Sequence, residues 1–193
     1  PGLVLDLHSK IQGHPYPEKG LRPAAESWRQ LPSSLADSDY GRTVMEDTVR
    51  RALFWAGQLE RAVAAMEDCE PVYKANAAQF LAAAAELRRY EQASQEGWDA
   101  MGRVQPVLQR AGTVKNGEND EAKAAAKAVR EKYKKAKEEM TAPYLVTERE
   151  HLEDLQAEAP SMLALLRRTE RVSQRYQAEK GRRNAMDLSD QEH

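Results

Sequence analysis

Apolar residues recur at alternating steps of three and four along most of this chain. Four runs carry the pattern. The first is Met45, Val49, Ala52, Ala56, Leu59, Val63 and Met66. The second is Tyr73, Ala77, Phe80, Ala84 and Leu87, weakens at Glu91 and Ser94, and resumes at Trp98 and Met101. Ala122, Ala126, Val129, Tyr133, Ala136 and Met140 make the third. The fourth is Leu152, Leu155, Ala159, Met162 and Leu166, then polar Thr169 and Ser173, then Tyr176. A repeat near 3.5 residues keeps one stripe of a helix turned toward a neighbouring helix. Each run therefore predicts an amphipathic helix packed on another.

The punctuation between runs suggests how they connect. Residues 1–42 hold more than half of the prolines and read as an extended arm with a short helix near residues 24–31. In "GTVKNGEND" (112–120), Gly112 and Asn116-Gly117 predict a stop and a turn. Pro71 and Pro160 lie 44 and 45 residues on either side of position 115. A proline either begins a helix or kinks a continuous one. Two all-α architectures follow. One is a long antiparallel helical hairpin with coiled-coil-like packing, kinked at Pro71 and Pro160, pairing 72–111 with 119–159 and 43–69 with 161–185. Each arm would be about 100 Å long at ~1.5 Å per residue. The other is the same helices folded back as a four-helix bundle. In both, residues 43–185 form the helical body and 186–193 a flexible tail. Pro106 interrupts either version, and Pro143 suggests a separate helix start capped by Thr141 or Ala142.

Composition sharpens this picture. Ala, Glu, Lys, Leu and Arg make up about half of the chain, the mixture of long helices. There is a single Ile, and β-branched residues are scarce, which disfavours a sheet. The net charge of −2 is too small for the self-repulsion of a disordered acidic or basic chain. The helices are therefore expected to meet through thin, Ala-lined seams. No stretch approaches the ~20 apolar residues of a membrane span. The first residues lack the basic-then-apolar order of a signal peptide. The expectation is a soluble, cytoplasmic protein. One cysteine, Cys69, excludes an internal disulfide.

Few residues suggest catalysis. Glu148 and His151 share a helix face at i and i+3, a pair used in di-iron bundles, but such sites need a second pair and further glutamates. His8, His14 and His193 lie near the chain ends. Cys69 sits among acidic residues, a setting that blunts a thiol nucleophile. There is no Gly-rich phosphate loop, no paired Cys motif and no G-x-S-x-G. A non-enzymatic protein without cofactor or metal is expected. Its partner would be another protein or a second copy. Phe54, Trp55, Phe80, Trp98 and Tyr133 are the candidate contact residues, because bulky aromatics anchor helix interfaces. Adjacent Phe54 and Trp55 cannot both face one narrow seam, so one should reach a second partner.

Trp55-Ala56-Gly57 resembles the W-x-G motif of the small helical-hairpin substrates of the type VII (ESX) secretion pathway. In that family the tripeptide sits in the turn between two helices; here the apolar seam runs through it from Ala52 to Leu59. "YLVTE" (Tyr144 to Glu148) resembles the same family's Y-x-x-x-D/E tail signal. The resemblance implies a secreted helical substrate as an alternative function.

Beside the third run, one residue along, stands a basic stripe: Lys123, Lys127, Arg130, Lys134 and Lys137. A second basic zone comprises Arg167, Arg168, Arg171, Arg175, Lys180, Arg182 and Arg183. Such stripes usually bury their stems and solubilise a helix. They could also meet an acidic protein or an anionic membrane surface, although no amphipathic insertion helix is evident. Nucleic acid is disfavoured, because few aromatics interleave with the basic residues and the overall charge is near neutral.

Overall fold

A computed structural model describes residues 2–12, 17–114 and 119–183. Asn116-Gly117, the 186–193 tail and His14 lie outside the described residues. Those residues are all-helical apart from connections, with no strand among them. In chain order the α-helices are α1 (Gly2–Gln12), α2 (Pro17–Arg29), α3 (Asp39–Ala64), α4 (Glu70–Glu96), α5 (Trp98–Arg103), α6 (Asp120–Thr141) and α7 (Glu148–Arg183). A 3₁₀ turn, Ala142–Leu145, joins α6 to α7; Pro143 lies at its start, and Thr141 precedes it without a side-chain capping bond.

The chain divides into two compact units, residues 33–151 and residues 1–32 with 152–193. Residues 2–12 and 17–29 are helical, where the sequence suggested an extended arm with one short helix.

The larger unit is organised around α3 and α4. The alternating three- and four-residue steps of their apolar runs become the buried seam: Met45, Ala52, Ala56, Leu59 and Val63 on α3; Ala77, Phe80, Ala84 and Leu87 on α4. Alanine at so many seam positions lets the two backbones pack along each other. The helices are joined by residues 65–69, and Pro71 lies in the first turn of α4, where no backbone donor is lost. The chain therefore reverses there instead of bending. α4 shares its length chiefly with α3, and α6 lies against both. This differs from the pairing of 72–111 with 119–159 drawn from the proline symmetry.

The second apolar run is also not one helix. α4 stops at Glu96, and Gly97 takes φ 108°, a left-handed region that glycine enters without strain. After the short α5, residues 104–114 are extended and run back along α4. Gln105 N–H meets Glu86 Oε1 (3.3 Å), and Gly112 N–H donates to the Ala75 carbonyl (2.8 Å). Pro106 explains the change: it offers no N–H and disfavours helix at the residue before it. Val104 and Pro106 are buried, while Gln105 and Val107 face out, the alternation of an extended strap.

Two caps set the ends of the helices that frame the unit. Ser38 Oγ accepts from Gly41 N–H (2.9 Å) and donates to the Leu35 carbonyl (2.7 Å). A Cβ on Gly41 would stand 2.0 Å from that carbonyl oxygen, so the residue is fixed by close approach. At the start of α7, Thr147 N–H donates to Glu150 Oε2 (2.9 Å) and Glu150 N–H to Thr147 Oγ1 (3.3 Å), a reciprocal capping box.

In the smaller unit, α7 runs through Pro160 without ending. Its seam buries Ala159, Leu166 and Thr169. Thr169 is fully buried despite its hydroxyl, because Oγ1 donates to the Leu165 carbonyl of its own helix (3.0 Å). Ser173, the other polar point in the run, meets His8 Nδ1 of α1 at 2.8 Å.

Candidate functional site

The aromatic candidates separate into core and surface. Trp98 is buried at the centre of a ring cluster, 4.7 Å from Tyr144, 5.2 Å from His151 and 6.5 Å from Tyr40 between centroids. Its Nε1–H donates to the Val146 carbonyl (3.3 Å). Phe80 and Tyr133 are also buried. Tyr133 OH donates to the Pro106 carbonyl (2.7 Å), fastening the strap, and burial pushes its hydroxyl pKa up. These three residues hold the unit together and present no free surface.

Phe54 and Trp55 differ. Phe54 is 55% exposed. Its ring stands edge-on to Trp55 (5.8 Å, 84°), and Trp55, half-buried, meets buried Tyr133 (5.9 Å, 64°). A chain of three rings thus runs from core to solvent. Exposed Arg50 and Arg61 lie on either side of Phe54 along α3.

The basic stripe is not one surface. Lys127 and Lys134 are exposed; Lys123 and Lys137 are half-buried. Arg130 turns inward from the stripe. Its Nε–H donates to Asn76 Oδ1 (2.9 Å), Nη1–H donates to the Gln109 carbonyl (2.7 Å), and the guanidinium lies 5.0 Å from the Phe80 ring centroid. Nη2 is buried without a hydrogen bond among the described residues, and burial lowers the group's pKa. Arg130 is therefore a clamp between α4, α6 and the strap. The sequence could not show this, since a helical spacing cannot report which lysine or arginine has a carbonyl within reach. Opposite the stripe's distal end, Glu139 pairs with Arg51 of α3 (2.6 Å).

The remaining motifs are engaged locally. Trp55-Ala56-Gly57 lies within α3, with no turn. Tyr144 OH donates to Thr48 Oγ1 (3.0 Å), and burial pushes its pKa up to about 12. Glu148 accepts from Leu35 N–H (2.6 Å) and Ser34 Oγ–H (2.8 Å), tying the residues before α3 to the start of α7. His151 Nε2 is 3.3 Å from the Pro143 carbonyl. Cys69 is a half-buried free thiol at the start of α4. Among the described residues no group of three His, Cys, Asp or Glu converges on a common point. No described helix is long and apolar enough to cross a membrane.

In the smaller unit, α1 was missed by the sequence reading. Leu3, Leu7 and Ile11 sit at four-residue steps that mark an amphipathic helix, yet the nearby prolines suggested an extended arm. Among its described side chains, residues 2–11, none is buried; Leu3 is 74% and Leu5 56% exposed. An open groove of about 460 Å³ between α1 and α7 is lined by Val4, Leu5, Val172, Arg168, Arg171 and Arg175. Three residues of the second basic zone, Arg168, Arg171 and Arg175, thus stand beside this apolar surface. The sequence matches no protein-family model and no curated protein.

Proposed function

We propose that this protein is a non-enzymatic helical scaffold or adaptor that works through helix–helix contacts, with Phe54 and Trp55 as its anchor. The observation that supports this is the ring chain Tyr133–Trp55–Phe54, which holds a large apolar side chain in place at the surface. An aromatic already fixed in one orientation loses little entropy on docking, and such residues dominate interface energies. Covering the exposed half of a Phe contributes about 1 kcal/mol, several-fold in affinity. Multi-angle light scattering across a concentration series tests the reading for self-assembly. Phe54→Ser should weaken association several-fold with little change in helicity, and Trp55→Ala should weaken it further. Wild-type mass and concentration dependence in both variants would remove these residues as the anchor.

A further inference from the structure

The outward face of α7 carries a second seam opposite the packed one. Asp154, Ala157, Ser161, Ala164, Arg168, Arg171 and Arg175 are all exposed and follow each other at alternating steps of three and four. Charge is sorted along this line. Asp154, with Glu158 beside it, marks one end; small residues fill the middle; arginines occupy the other end. Asp154, Glu158, Arg168 and Arg171 make no ion pair among the described residues.

We infer that this face docks a second copy of the chain, the two α7 helices lying antiparallel with the acidic half of each on the arginine half of the other. A twofold axis between Met162 and Leu163 sets Asp154 opposite Arg171 of the second copy. It sets Ala157 opposite Arg168, with Glu158 one residue from that level, and Ser161 opposite Ala164. Every contact occurs twice, as an isologous interface requires. The paired stretch spans roughly 25 Å at the rise of an α-helix. Small side chains at its centre let the helices approach closely. Leu5 and Val172, which line the groove beside the same arginines, supply apolar surface for the partner to cover. A parallel pair would stack Asp154 on its own copy and arginine on arginine. An unrelated acidic partner would satisfy the arginines but repel Asp154 and Glu158. A second α7, reversed, matches both ends.

This inference rests on the helix–helix assembly proposed above and names a partner for it, but the two fail separately. Sedimentation velocity of the full chain reads it. Association of the wild type should weaken as salt rises, because exposed ion pairs are screened. Asp154→Arg alone and Arg171→Asp alone each place like charges at both pairs, and each should weaken association roughly tenfold or more. An equimolar mixture of the two variants should associate again, since every facing pair is then opposite in sign. That rescue also shows both variants to be folded. A wild type that stays monomeric at low salt overturns the inference. So do single variants that associate like the wild type, or a mixture that gives no rescue. Loss of assembly in Phe54→Ser with the α7 variants unaffected would overturn the α7 interface and leave the scaffold reading standing.

Discussion

Replacing Arg130 with Met keeps the length of the side chain and removes its guanidinium. Two hydrogen bonds disappear, to Asn76 Oδ1 and to the Gln109 carbonyl. A charged hydrogen bond contributes about 1.5–3 kcal/mol when buried, and this group is only partly buried, so the lower end applies to each. The contact with Phe80 adds about 0.5–1 kcal/mol. Against these stand the desolvation of the guanidinium and the unbonded Nη2, both relieved by Met. The net expectation is a loss of about 2 kcal/mol. Urea unfolding should show it as a midpoint lowered by roughly 1 M with an unchanged slope. The loss should be local as well as global. Gly112 N–H, bonded to the Ala75 carbonyl, should exchange faster with deuterium as the strap opens. Lys127→Met and Lys134→Met, on exposed positions, should each change stability by less than about 0.5 kcal/mol. If Arg130→Met behaves like these two, with the Gly112 amide equally protected, Arg130 is not a clamp.

Other tests follow from buried hydroxyls and from proline. Tyr133→Phe leaves the Pro106 carbonyl without its buried donor and should lower stability by about 1–2 kcal/mol in the same urea assay. Tyr90 is buried, but its hydroxyl has no hydrogen-bond partner among the described residues, so Tyr90→Phe should be neutral or raise the urea midpoint. Burial pushes the Tyr90 and Tyr144 hydroxyls from the ordinary 10.0 up to about 12, and Tyr133 higher. The folded state therefore keeps protons that the unfolded chain releases above about pH 10. Stability should be flat below that pH and fall as pH rises toward about 12. Each tyrosine contributes up to about 1.4 kcal/mol per pH unit to the slope, which Tyr90→Phe and Tyr144→Phe should flatten. Pro160→Ala restores a backbone donor inside α7 and should raise the thermal midpoint followed by circular dichroism; a lower midpoint would mean the proline shapes packing that the helix needs.

The sequence by itself determined the all-helical class and, for α3, α4 and α6, which side each helix buries. Period is a local property, and the seams at Met45 through Met66 and at Ala126 through Met140 became the buried lines with few changes. Weak points such as Thr169 were also seam positions, because a hydroxyl can satisfy itself on the preceding turn. What period cannot report is distance in space. Pro71 and Pro160 look equivalent along the chain, yet one follows a turn and begins a helix while the other lies inside one. The packing of α3 on α4 set the turn before Pro71. The fate of 104–114 likewise depended on a groove that α4 and α6 supply together, with Tyr133 and Arg130 reaching its carbonyls. The candidate site followed the same division. Aromatic and basic residues were legible as types, but whether each faced core or solvent was decided by its neighbours. Tertiary structure buried Phe80, Trp98 and Tyr133, turned Arg130 inward, and left Phe54 and the charge-sorted face of α7 to solvent.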